Sequence, residues 1–201
     1  MVKIIFFDTE TTGLPKNKKI NALESSNNWP DLVSICWMVF ENDTFIRKEY
    51  HIIRPNGFII PEVVIAIHKI TNEIALSEGK PLSDVLSLFK YDIEDAYLIV
   101  AHNLHFDKNV IFHAFKWRLG IDPTPFWSKD SEFCSAKESK DEVKIFVSLF
   151  SKPNKPYYKF PKLDELYYDT FKSPAPDNAH NADRDVDVLQ KIFFKRWNVL
   201  S

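Results

Sequence analysis

At 201 residues the chain has the length of one large domain, and a composition 45% apolar and 27% charged belongs to a protein that folds around a core rather than to a disordered tail. A formal net charge of −2 excludes a global basic field, so any site for a polyanion must be local. No apolar run approaches the ~18–20 residues of a membrane span, and Lys3–Phe7 leads straight into acids where a secretory leader would continue. The expectation is a cytoplasmic or nuclear protein without a membrane partner. Cys36 and Cys134 are too few and too far apart for a disulfide framework and are expected to be reduced, buried thiols.

In chain order, "KIIFF" (Lys3–Phe7) reads as a short buried strand. The polar stretch from Leu14 to Asp31 reads as a loop. "LVSICWMVF" (Leu32–Phe40) is a second strand, apolar on both faces and therefore central. "END" breaks it, and "TFIRKEYHIIRP" alternates as a third strand across a hairpin. Pro61 opens a helical segment through "EVVIAIHKIT", and Pro81 opens another through "LSDVLSLFKYDIED". "AYLIVAH" is a fourth strand, and "NLHFDKNVIFHAFKWRLG" a helix stopped by Gly120. "DPTPFWSKD" and "SKPNKPYYKFP" read as proline-rich loops, "KLDELYYDTF" as a short helix and "NADRDVDVLQKIFFKRW" as the last helix. Three strands followed by helix, strand and helix predict one α/β domain over residues 1–201 with a mixed sheet.

Several acids occupy positions where an apolar residue is expected. Asp8 and Glu10 follow the most apolar segment, and residues i and i+2 at a strand end point to one side. A turn with solvated acids is the alternative. At ~100° per residue, Asp107 falls on the apolar stripe of its helix with Val110, Ile111 and Ala114; Arg118, near that stripe, would be its partner in a purely structural ion pair. Asp185 falls within the arc of Ala182, Val186, Val188, Leu189, Ile192 and Phe193, whereas Asp183 and Asp187 lie on the polar face, as a solvated helix start would place them. Four inward carboxylates repel one another and need compensating charge, which hard divalent cations supply. Zinc is disfavoured, because no Cys/His cluster has ligand spacing.

Three segments, "DTETTG" (Asp8–Gly13), "AHNLHFD" (Ala101–Asp107) and "HNADRD" (His180–Asp185), resemble the three motifs of the DEDD 3′→5′ exonucleases. The last has the form His-x-Ala-x-x-Asp of the branch with a catalytic histidine, which includes the proofreading subunit of bacterial DNA polymerase III. The tyrosine branch carries a tyrosine four residues before the last acid, where this chain has Asn181. "IHKIT" (Ile67–Thr71) and "PKLDELY" (Pro161–Tyr167) resemble intermediate segments, and the resemblance runs from Lys3 to about Phe194. It implies a ribonuclease H-like α/β fold, a five-stranded mixed sheet flanked by helices, with the fifth strand near Phe133 and Cys134.

The resemblance further implies two divalent metal ions, Mg²⁺ or Mn²⁺, held by Asp8, Glu10, Asp107 and Asp185, with His180 as general base. An exposed loop histidine is the plainer reading of His180. Carried over by motif, Thr11 would meet the terminal sugar, and Leu14 and Phe106 would flank unstacked bases, with core packing as the alternative for both. "KNKK" (Lys16–Lys19) and the lysines between Lys152 and Lys162 are candidate phosphate contacts or plain solvated charge. No role follows for His68 or His102. The implied substrate is single-stranded DNA at a free 3′ end, degraded distributively, since near-neutral charge gives few phosphate contacts. Rival readings are an exoribonuclease of the same fold and a catalytically inactive binding module. "DTETTG" is closer to the DNA-proofreading form than to the "D-x-E-M-T-G" of oligoribonucleases, and the presence of all four acids and the histidine speaks against an inactive module. A DNA polymerase subunit and a stand-alone enzyme are both open.

Overall fold

The structure, a computed structural model, describes residues 2–149, 152–177 and 181–197. Its centre is β1 (Lys3–Thr11), which pairs antiparallel with β2 (Leu32–Glu41) and parallel with β4 (Leu98–Ala101). β3 (Thr44–Ile52) extends the antiparallel side and β5 (Glu132–Cys134) the parallel side, giving a five-stranded mixed sheet in the order β3-β2-β1-β4-β5. The fifth strand lies where it was expected. β1 reaches four residues beyond the apolar run, so both leading acids belong to the strand and not to a turn after it.

The apolar run in β1 is continuous because both sheet faces are covered. Ile5 and Phe7 enter one core cluster with Trp37, Phe89, Val110 and Ile111, on the side of α3 (Leu82–Ile93) and α4 (Leu104–His113). Ile4 and Phe6 enter another with Met38, Val186, Leu189 and Phe193, under α8 (Ala182–Trp197). The buried residues of α8 are the six of the predicted arc. β2 turns into β3 through Asn42 and Asp43, both at positive φ (47° and 63°), the conformation that matches a tight hairpin to strand twist.

Between β3 and β4 lie α1 (Glu62–His68) and α2 (Asn72–Glu78), then α3. α2 is an element that the sequence reading left out; Thr71 caps it by accepting from Ile74 N at 3.2 Å. α4 continues as a π turn over Ala114–Arg118 before Gly120, at φ +69°, ends it. That widening carries Arg118 to Asp31, with bonds of 2.6 and 2.9 Å, so the structural ion pair considered for Asp107 does not form.

After β5 come α5 (Ser135–Glu138) and α6 (Lys140–Val143). The stretch read as a proline-rich loop contributes to β7 (Lys152–Tyr158), antiparallel to β6 (Phe146–Leu149). Prolines are tolerated in a two-stranded sheet, where every strand is an edge. α7 (Leu163–Phe171) then leads toward α8. Asp183 and Asp187 are not merely solvated: Lys48 from β3 pairs with both, at 2.7 and 2.9 Å. Cys36 is buried and Cys134 half-buried, and both are free thiols. No helix among the described residues is long and apolar enough to cross a membrane.

Candidate active site

The sheet geometry decides where the acids go. Ile4, Phe6, Asp8 and Glu10 alternate onto the face covered by α8, so the two carboxylates continue an apolar row to the strand's end. Asn181 starts α8 by accepting from Asp183 N at 2.9 Å, which brings Asp185 round within the first turn. The outcome is that Asp8, Glu10 and Asp185 each offer an oxygen within 4.8 Å of the others. Asp107 approaches from the opposite side of β1. It is 3% exposed, and its Oδ1 accepts from both Thr9 N (3.1 Å) and Thr9 Oγ1 (2.7 Å). Thr9, the odd-numbered residue between the two strand acids, thus ties the fourth carboxylate to the other three.

These groups resist ionisation together. Burial, then the charges of Asp107, Glu10 and Asp185, push Asp8 well above the ordinary carboxylate range. Burial and the charges of Asp185 and Asp107 raise Glu10 to about 8. Burial raises Asp107 to about 7, against the pull of the Thr9 bonds. Clustered carboxylates that cannot all ionise alone become fully charged when a cation joins them. An all-oxygen donor set of this kind suits a hard divalent ion. One protein cation does stand beside the cluster: Arg184 Nη1 is 2.7 Å from both Asp185 and Asp164. It therefore links the start of α8 to the start of α7. The sequence reading missed Arg184 and Thr9, because neither bond follows from periodicity.

The remaining predicted residues separate. Thr11 is buried at the end of β1 and its hydroxyl donates to Gly13 O at 2.7 Å, closing the turn that follows. Leu14 is 73% exposed, which removes core packing as its explanation. Phe106 is half-buried and rests on Trp29, so it does partly pack against the core. His180 lies outside the described residues. His68 is buried and accepts from Ile70 N at 3.1 Å, fastening the end of α1. His102 bridges Ser135 and Pro161 O, both at 2.9 Å, and burial lowers it to about 4, so it is a neutral structural link.

The sequence matches the exonuclease family RNase T over residues 5–193, a span that contains all three acidic motifs. The chain belongs to this exonuclease family. Within it, the His-x-Ala-x-x-Asp form of the third motif marks the DEDDh type. No curated protein sequence matches the chain. Among solved structures, E. coli exonuclease I in complex with a dT13 oligonucleotide superposes with a TM-score of 0.71 at 16% identity, over 98% of this chain and 41% of that one. A moderately thermophilic exonuclease I from Methylocaldum szegediense gives 0.71 at 14% identity, over 100% and 42%. A zinc-ion-bound form of the E. coli exonuclease I–ssDNA complex gives 0.67 at 18% identity, over 99% and 42%. At these identities the likeness establishes the fold, and the chain spans about two fifths of the length of the exonuclease I structures. The ribonuclease H-like expectation for the sheet and its flanking helices is thereby met.

Proposed function

We propose that the protein is a metal-dependent 3′→5′ exonuclease that removes nucleoside 5′-monophosphates from single-stranded DNA. The observation that carries this reading is the convergence of Asp8, Glu10 and Asp185, joined through Thr9 to Asp107, at the carboxyl end of the parallel strands, where open α/β sheets place their ligands. Asp8, Glu10, Asp107 and Asp185 would hold two Mg²⁺ or Mn²⁺ ions. Bound there, the ions would neutralise the scissile phosphate and lower the pKa of the attacking water.

The chain's own residues do the rest. Thr9 fixes the carboxylate of Asp107, and Arg184 fixes that of Asp185. His180, by its place in the motif, takes the proton from the attacking water, a role suited to its near-neutral unperturbed pKa. The turn after Thr11 meets the terminal sugar, while exposed Leu14 and the free edge of Phe106 flank the last bases. DNA is favoured over RNA by the form of "DTETTG" and by the DNA-bound state of the similar exonuclease I structure. The reading does not require a polymerase partner. Near-neutral charge supports a distributive mode in which the enzyme leaves the strand often.

The test is a time course on 5′-labelled single-stranded DNA and RNA of one sequence, with Mg²⁺, with Mn²⁺ and with chelator. Shortening from the 3′ end that needs metal and prefers DNA is expected. No shortening under any metal would leave a binding module.

A further inference from the structure

The two-stranded sheet of β6 and β7 carries aromatic residues that the core does not use. Phe146 pairs with Tyr158 across it, so the two share a face, and Phe160 follows two residues on. Their exposures are 60%, 40% and 50%. Lys140 Nζ stands over the Phe160 ring, 5.7 Å from its centroid. Phe160 is in turn one wall of a cleft of about 320 Å³ whose other walls include His105, Lys108 and Lys137.

That cleft lies at the carboxyl ends of β4 and β5, beside the start of α4, the helix that carries Asp107. His105 and Lys108 lie on the first two turns of α4, about 160° and about 100° round the helix from Asp107. A helix is about 10–12 Å across with its side chains, so the cleft would meet nucleotides upstream of the terminal one. The loop that bears Lys16, Lys18 and Lys19 leads to Asn21 in the cleft wall, and His105 bonds to Lys18 O at 3.2 Å. His102 anchors the wall at Phe160, because its bond to Pro161 O ties the chain leaving β7 to the end of β4.

The charges favour a polyanion. Lys16, Lys18, Lys19, Lys137 and Lys140 have no carboxylate partner among the described residues. Of the two acids in the cleft, Glu132 is paired with Lys108, which leaves Glu138 as the opposing charge. Exposed rings between unpaired lysines suit unstacked bases with their phosphates to either side. Duplex DNA offers no free base faces, and an apolar protein partner would strand the lysines.

Resting on the exonuclease reading above, we propose that the Phe146–Tyr158–Phe160 face and the adjoining cleft form a track for single-stranded DNA upstream of the 3′ end. The track supplies grip by stacking where the net charge supplies little. It should therefore matter for long strands and not for the shortest ones.

The test compares wild type with Phe160→Ala, Tyr158→Ala and Lys137→Ala, using Tyr91→Ala, an exposed tyrosine on α3, as control. Anisotropy of 5′-fluorescein-labelled oligothymidylate in chelator reads binding, and turnover with Mn²⁺ reads activity, on strands of about four and about sixteen nucleotides. Phe160→Ala is expected to weaken binding of the longer strand by about tenfold and to change turnover of the shorter one by less than about twofold. Equal effects on both lengths, no effect on either, or a greater loss with oligouridylate than with oligothymidylate would overturn the track. Absence of turnover in wild type would instead defeat the exonuclease reading, while the length dependence of binding would still decide the track.

Discussion

Thr9 holds Asp107 twice, by its backbone N–H at 3.1 Å and its hydroxyl at 2.7 Å, although the two residues are 98 positions apart. The two bonds oppose the burial that raises the Asp107 carboxyl. Thr9→Val keeps the shape and removes the hydroxyl. The expected result is a loss of about tenfold in kcat, with the acidic limb of the pH–rate profile moved to higher pH, since hydrogen bonds to a charged group are worth about 1.5–3 kcal/mol. Thr9→Ser should recover both. An unchanged acidic limb in Thr9→Val would show that the hydroxyl does not support the carboxylate.

The raised acids make the metal-free protein less stable as pH rises. Glu10 at about 8 and Asp107 at about 7 exceed their ordinary values of 4.5 and 3.8, so between those limits the folded state holds protons that the unfolded chain has released. Stability from this source is lost as pH climbs toward 8. His102, lowered from 6.5 to about 4, acts in the opposite sense, adding stability as pH rises through that window and nothing further above it. Above pH 6.5 the acids should dominate. In chelator the Tm should fall from pH 6.5 to about 8, and Mn²⁺ should abolish most of that fall. A flat Tm in chelator would contradict the clustered charge.

Arg184 is the cation that the cluster carries in its own right. Arg184→Gln should destabilise the metal-free protein by about 2 kcal/mol in urea unfolding, because it leaves Asp185 without that partner and releases α8 from α7. Mn²⁺ should recover more stability in the variant than in wild type. Asp164→Asn, which breaks only the link to α7, should show a smaller loss and no extra recovery. Equal recovery in both variants would assign Arg184 to the α7 link alone.

Gly79 tests the packing of α2. A Cβ there would come within 2.2 Å of Ala75 O and 2.6 Å of Arg54 N, and both are backbone atoms. Gly79→Ala should cost about 1–3 kcal/mol as the chain shifts to relieve the overlap. A Tm equal to wild type would mean that this segment moves freely.

What the sequence revealed follows from range. The row Ile4, Phe6, Asp8, Glu10 and the stripe of α8 are local periodicities, and each placed its acid on the correct face. Thr9, Arg184 and His102 act through partners that only the fold supplies, such as Asp107, Asp164 and Pro161. The β6–β7 pair was hidden by Pro153 and Pro156, which argue against a strand everywhere except at an edge. α2 was hidden by its brevity, although Thr71 is a helix-capping residue in plain view.

The central claim is that four carboxylates from one strand and two helices act together to bind divalent cations. Calorimetric titration of Mn²⁺ near neutral pH, in buffers of different ionisation enthalpy, tests it most directly. Wild type should bind Mn²⁺ and release protons as it does so, and Asp8→Asn and Asp185→Asn should each bind at least about tenfold more weakly with fewer protons released. Binding of equal strength in wild type and both variants, or binding without proton release, would contradict the account.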